Sequence, residues 1–174
     1  MRILIVSDIH GNLDNMKKVI QNDPSFDCLL LVGDLLAGPN IDGYDPERLA
    51  DFLNIYRDKV ICVKGNCDYE YDTKLLNFSV DKLYITLPMD NKIFLITHGH
   101  YYYKKNLPEV PYDVLISGHT HVPVLERDKG KVFVNPGSIT LPRRGSTKCY
   151  IIYEDRVFSL KELDSNKVIE RIYI

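Results

Sequence analysis

The sequence predicts an α/β (α+β) fold in one domain spanning 1–174, with two packed β-sheets and helices outside. Two observations predict the fold class. Residues 1–65 alternate short apolar runs with amphipathic helical patterns, and the rest of the chain is almost entirely strand-like. An α/β half and a β-rich half are combined most simply by packing two sheets together with helices outside. A third observation bears on function. Five of the apolar runs pass directly into Asp, Asn or His.

The elements follow in order. RILIVS (2–7) is short, apolar and β-branched, as a strand buried on both faces requires. NLDNMKKVIQ (12–21) places Leu13, Met16, Val19 and Ile20 on one helical face, with Asn12 able to cap its start. CLLLVG (28–33) is a second buried strand. PERLADFLNIYRDK (46–59) opens with proline and aligns Leu49, Phe52, Leu53 and Tyr56, predicting an amphipathic helix. KVICVKG (59–65) completes β-α-β-α-β, which implies a parallel sheet with right-handed crossovers. Seven further strands are predicted over 82–88, 92–99, 113–119, 131–137, 148–154, 156–163 and 167–174. MDNK (89–92) and EDR (154–156) have the length of tight hairpin connections.

Composition excludes several classes. With 45% hydrophobic and 26% charged residues and a net charge of −2, the chain has no basic field suited to nucleic acid or anionic membrane. The apolar run in MRILIVSD is too short for a signal peptide, and no run reaches transmembrane length, so a cytoplasmic location is expected. Cys28, Cys62, Cys67 and Cys149 form no C-x-x-C pair. The three outside position 67 lie in apolar runs, as buried, inert thiols do.

Polar residues concentrate where the strands end. RILIVS ends in Asp8-Ile9-His10, CLLLVG in Asp34, and VICVKG in Asn66, Cys67 and Asp68. IFLIT ends in His98-Gly99-His100, and VLISG in His119-Thr120-His121. All five histidines of the protein therefore sit at such ends. A single strand-end Asp usually caps a turn, and a single His is more often a hydrogen-bonded rim residue than a ligand. Shared placement at carboxyl ends, where α/β sheets bind ligands, points instead to one chemical site. Imidazole and carboxylate suit Mn, Fe, Zn or Co. Seven donors exceed one tetrahedral ion and suit two ions sharing a carboxylate.

Read in order, SDIHG, GD at 33–34, GNCD, THGH and GHTH resemble the signature of the calcineurin-like metallophosphoesterases, with spacing that matches across residues 8–121. NPGSITLP (135–142) extends the match, and the short chain with GNCD resembles the small bacterial YfcE-type phosphodiesterases. The resemblance implies two face-to-face mixed sheets with outer helices and a dinuclear centre. Asp8, His10 and His121 would hold one metal, Asn66, His98 and His119 the other, and Asp34 would bridge them. Mn2+ is the expected ion, with Zn2+, Fe2+, Ni2+ and Co2+ as alternatives. A metal-bridging hydroxide would attack the phosphorus of a small phosphodiester. The resemblance also implies that Asn66, Cys67 and Asp68 form the catalytic segment, with Asn12 and His100 as candidates for substrate contact. Homodimers or homotetramers would be in keeping with relatives.

Two positions depart from the family pattern. GDLLAG offers Ala37 where many relatives carry an acidic or amide residue, and Cys67 stands where many carry histidine. A thiol is shorter than imidazole and supplies no cation, which would disfavour dianionic monoesters relative to diesters. The competing functions are a phosphomonoesterase, a nuclease-type phosphoesterase, and a non-catalytic scaffold like the retromer vacuolar-sorting subunit. Three loops could shape the substrate side: 38–46, 98–108 with Lys104 or Lys105, and LPRRGS (141–146), whose arginines are as readily a solvated turn.

Overall fold

A computed structural model describes residues 1–174. β1 (Ile3–Val6), α1 (Leu13–Asn22), β2 (Cys28–Leu31), α2 (Pro46–Asn54) and β3 (Val60–Cys62) form the expected alternating unit. A one-turn helix α3 (Glu70–Thr73) follows, then β4 (Tyr84–Met89), β5 (Lys92–Thr97) and β6 (Val114–Ile116). The chain ends with β7 (Val124–Asp128), β8 (Lys131–Asn135), β9 (Cys149–Glu154), β10 (Val157–Glu162) and β11 (Val168–Tyr173).

Two sheets result, a six-stranded one in the order β11-β10-β9-β1-β2-β3 and a five-stranded one in the order β4-β5-β6-β8-β7. β1 pairs in parallel with β2, as β2 does with β3, while β9 joins β1 antiparallel, so the sheet is mixed. In the second sheet β5, β6 and β8 run parallel and β4 and β7 are antiparallel edges.

Strand alternation explains why β1 and β2 are apolar throughout. Leu4, Val6, Leu29 and Leu31 face the helices and pack with Met16, Val19, Leu49 and Leu53. Ile3, Ile5, Cys28 and Leu30 face the other sheet and pack with Phe94, Ile96, Val114 and Ile116. A register slip of one residue would exchange these two sets. Each buried aliphatic side chain contributes about 1.5–3 kcal/mol, and the two sets must match different partners. The helix caps are those the sequence shows. The Asn12 side chain accepts from the Asn15 amide, and Asp45 does the same for Arg48 with Pro46 beginning the helix.

Three features differ from expectation. The second helix stops at Asn54 and tightens into a 3₁₀ turn over Arg57–Lys59 before entering β3. β7 was not foreseen, because an edge strand reading VLERD exposes most of its side chains and loses the apolar pattern. No long helix covers the five-stranded sheet. Its outer residues Leu95, Leu115 and Phe133 are covered by Leu107, Val110 and Tyr112 from the 98–113 segment. Both expected hairpins are two-residue turns, with positive φ at Asp90 and Asn91 and at Asp155 and Arg156, the type I′ geometry. Lys129-Gly130 makes a third between β7 and β8. No helix is long and apolar enough to cross a membrane.

Candidate metal centre

The parallel strands of both sheets end at one edge of the sandwich. Asp8 and His10 follow β1, Asp34 follows β2, and Asn66 follows β3. From the other sheet His98 follows β5, and His119 and His121 follow β6. Asp8, His10, Asp34, His119 and His121 all hold φ between 50° and 65°. Non-glycine residues avoid that left-handed region at a cost of about 1–3 kcal/mol each, and they adopt it where the surroundings over-determine it. Five of the seven expected ligands are thus held in strained backbone that turns their side chains inward.

The surrounding bonds set which atoms face the centre. His10 Nδ1 lies 2.9 Å from the Ala37 carbonyl, His98 Nδ1 2.7 Å from that of Val32, and His121 Nδ1 2.7 Å from that of Leu141. Carbonyls only accept, so each Nδ1 carries the hydrogen and each Nε2 of a neutral ring presents a lone pair. His10 Nε2 and His121 Nε2 lie 3.3 Å apart, and His121 Nε2 lies 3.1 Å from Asp8 Oδ1. Asp8 Oδ2 accepts from Ser7 Oγ at 2.6 Å and from the His119 amide at 3.1 Å, whereas the buried Oδ1 has no donor. Asp34 divides its oxygens similarly. Oδ1 accepts the Cys67 amide at 2.8 Å, and Oδ2 lies 3.8 Å from His10 Nε2 and 3.4 Å from His98 Nε2. Asn66 Oδ1 is 3.2 Å from His98 Nε2.

Lone pairs in such contact repel unless a cation lies among them. Burial opposes protonation of His98 and His121, yet the Asp34 and Asp8 carboxylates hold both rings above the ordinary histidine pKa. Burial alone would raise Asp34, but His98 and the Cys67 amide hold its carboxyl well below the usual range. The cluster therefore calls for positive charge, and its oxygen and imidazole donors fit divalent metal ions. Asp8 with His10 and His121, and Asp8 with Asp34 and His98, each bring their donor atoms within 4.8 Å of one another. His10, Asp34 and the Cys67 thiol form a third such group. His119 joins through its ring, which meets His98 edge-on at 5.2 Å between centroids.

A cavity of about 420 Å³ opens over this centre. Asn66, Cys67 and Tyr69 line it with Pro39 from the 38–46 loop and Arg143 from the 141–146 turn. Burial, then the Asp34 carboxylate, push the Cys67 thiol up to about 12.

Several of the expected residues stand outside the cavity lining. Asn12 is buried and does not reach the cavity, because its amide caps α1 and donates to the Asp42 carbonyl. His100 packs beside His98 and His119 and is likewise absent from the lining. Asp68 is a positioning residue, since its carboxylate accepts the amides of Asp34, Leu35 and Gly65. Lys104 pairs with Glu126 and Asp128, so the 98–108 segment is committed to the outer face of the second sheet. Sequence reading also passed over the supports after β8. Ser138 Oγ donates to the Asp8 carbonyl at 2.7 Å, Thr140 Oγ1 to that of Ile9 at 2.8 Å, and Asn135 Nδ2 to that of Gly118 at 2.8 Å. The only signal for them was a polar N-P-G-S-I-T run after a buried strand.

A fold of two mixed sheets with a histidine–carboxylate centre at their shared edge defines a metallophosphoesterase class. Residues 1–156 match the calcineurin-like phosphoesterase superfamily domain, and the chain belongs to that family. It is 35% identical to Phosphodiesterase YfcE of Escherichia coli, with 100% of this chain and 98% of the relative covered. The YfcE structure superposes with a TM-score of 0.93 over 100% of both chains. Phosphodiesterase MJ0936 of Methanocaldococcus jannaschii is 31% identical over 79% of this chain and 83% of its own. Vps29 of Entamoeba histolytica superposes with a TM-score of 0.69 at 21% identity over 100% of this chain and 99% of its own, a likeness of fold alone.

Proposed function

We propose that the protein is a metal-dependent phosphodiesterase acting on small phosphodiesters, with two divalent ions, Mn2+ by preference, in the centre described above. The position of Asp34 Oδ2 between His10 Nε2 and His98 Nε2 carries this reading, because one carboxylate oxygen then serves both halves of the site. His10, His121 and Asp8 would hold one ion, and His98, His119 and Asn66 the other. When bound, such ions supply Lewis acidity toward phosphoryl oxygens and toward an attacking water. The chain's own contribution is orientation. The carbonyl partners of His10, His98 and His121 fix the ring tautomers, and the Ser7 hydroxyl and His119 amide fix the Asp8 rotamer. Preset ligands need no reorganisation during reaction.

Position 67 supports diesters over monoesters. A thiol carries no positive charge in either protonation state and gives a dianionic monoester no compensating charge. The cavity of about 420 Å³ suits a small substrate. The discriminating experiment compares bis(4-nitrophenyl) phosphate with 4-nitrophenyl phosphate, using Mn2+-loaded wild type and Cys67→His. Diester preference is expected in the wild type, with a shift toward monoester in the variant. An unchanged ratio would discard this account of selectivity. A protein that binds no divalent metal and stays inactive with Mn2+, Ni2+, Co2+ and Zn2+ would be a scaffold instead.

A further inference from the structure

Arg143 is the one permanently charged cation lining the cavity over the candidate metal centre, where the other lining residues are Asp34, three histidines and neutral groups. Arg2, Lys104 and Lys161 are neutralised by carboxylates, but Arg143 forms no ion pair. Its backbone is nonetheless anchored. The Arg143 amide donates to the His121 carbonyl at 3.2 Å, and the Ser146 amide and hydroxyl donate to the Arg143 carbonyl at 3.1 and 2.7 Å. The turn is also tied to the His121 ring through Leu141. A second depression of about 410 Å³ shares Arg143 and His119 with the first, so the guanidinium borders both. Arg143 is exposed and its charge is solvated, but its backbone, rooted beside the His121 loop, brings an unpaired guanidinium to the cavity rim.

We propose that Arg143 binds the non-bridging oxygens of the substrate phosphodiester, supplying the cation that position 67 does not. The inference rests on the phosphodiesterase reading above. A thiol is neutral or anionic and never cationic, so Cys67 cannot perform this task in any protonation state. Guanidinium is charged throughout the working range and presents a planar fork matched to two phosphoryl oxygens.

Two readouts test it on Mn2+-loaded protein: calorimetric binding of inorganic phosphate, and KM and kcat for bis(4-nitrophenyl) phosphate. Arg143→Ala should weaken phosphate binding and raise KM by about 10- to 100-fold, the range for a lost charged hydrogen bond, with a smaller change in kcat. Arg143→Lys should recover part of both, since charge remains and the fork is lost. Lys129→Asn is the control for net charge. Lys129 is exposed in the β7–β8 turn with φ of 49°, a conformation asparagine tolerates, and its replacement should leave both readouts unchanged. In the Cys67→His background the Arg143→Ala penalty should shrink, because an imidazole then shares the contact. Wild-type phosphate affinity and KM in Arg143→Ala would overturn the inference while leaving the phosphodiesterase reading intact. Equal losses in Arg143→Ala and Lys129→Asn would overturn it too, by assigning the effect to surface charge. Phosphate binding that depends on Arg143 in a protein that cleaves no diester would refute the phosphodiesterase reading and retain the anion site.

Discussion

The backbone amide of Asp34 donates to Asp68 Oδ2 at 2.9 Å, so a carboxylate six residues past β3 fixes the backbone of Asp34 after β2. The same Asp68 oxygen takes the Gly65 amide at 2.7 Å, and its partner oxygen takes the Leu35 amide at 2.8 Å. Three donors hold one buried side chain, and burial still pushes its pKa upward. Asp68→Asn exchanges an acceptor for an amide that faces N–H groups. It should cost about 1–3 kcal/mol in urea unfolding and weaken divalent-metal binding. Wild-type stability and metal affinity in the variant would show that the loop holds Asp34 without it.

Metal should stabilise the fold because the donor atoms of His10, His121 and Asp8 are brought together only in the native state. At a concentration 100 times Kd a bound ion contributes about 2.7 kcal/mol. For a chain of this size that raises Tm by roughly 5–10 °C. Mn2+ should therefore shift the melting curve of chelator-treated protein, and Asp8→Asn should remove most of the shift. Superimposable melts with and without Mn2+, Zn2+ or Co2+ would contradict the metal centre.

Beside that centre the β6 loop lies close against the end of β1, and glycine permits it. A Cβ on Gly118 would stand 2.0 Å from Ser7 Oγ, which is held by Asp8 Oδ2 at 2.6 Å. Gly118→Ala should destabilise by about 1–3 kcal/mol, as overpacking does. Adding Ser7→Ala should restore part of the loss, giving a positive coupling in a double-mutant cycle. Strictly additive losses would mean that the clash is relieved elsewhere.

Alkaline pH should act through two buried phenols far from the centre. Burial, then the Asp23 carboxylate that accepts from Tyr150 at 2.6 Å, raise the Tyr150 pKa well above its ordinary 10.0. Tyr153 is raised in the same way, by burial and by Asp90. The folded state thus keeps protons that the unfolded chain releases. This contribution is complete below pH 10 and is lost as pH rises toward the folded pKa values. Urea midpoints should fall between pH 9.5 and 11 in the wild type and fall less in Tyr150→Phe/Tyr153→Phe. Equal slopes would remove the tyrosines as the cause.

Much of the site was legible because sheet chemistry is local. A strand buried on both faces must be apolar throughout, so a run such as ILIV followed by D-I-H marks both a central strand and its chemically active end. The Asn12 cap, the Asp90-Asn91 turn and the Asp155-Arg156 turn were readable for the same reason, since neighbouring residues decide them. β7 was not, because its stability comes from pairing with β8 and not from its own pattern.

The sequence by itself determined the ligand types, their order and their attachment to strand ends, along with the thiol at position 67. Tertiary structure decided which atoms face inward. Asp8 Oδ1 is left free because Ser7 and His119 occupy Oδ2, and Asp34 Oδ2 is shared because the Cys67 amide takes Oδ1. It also set the Asp68 carboxylate on the amides of Asp34, Leu35 and Gly65 and brought Arg143, 77 residues beyond Asn66 in the chain, to the same cavity. Those outcomes depend on contacts between loops of different sheets. No local pattern encodes them, because packing two sheets face to face fixes them only once the core has formed.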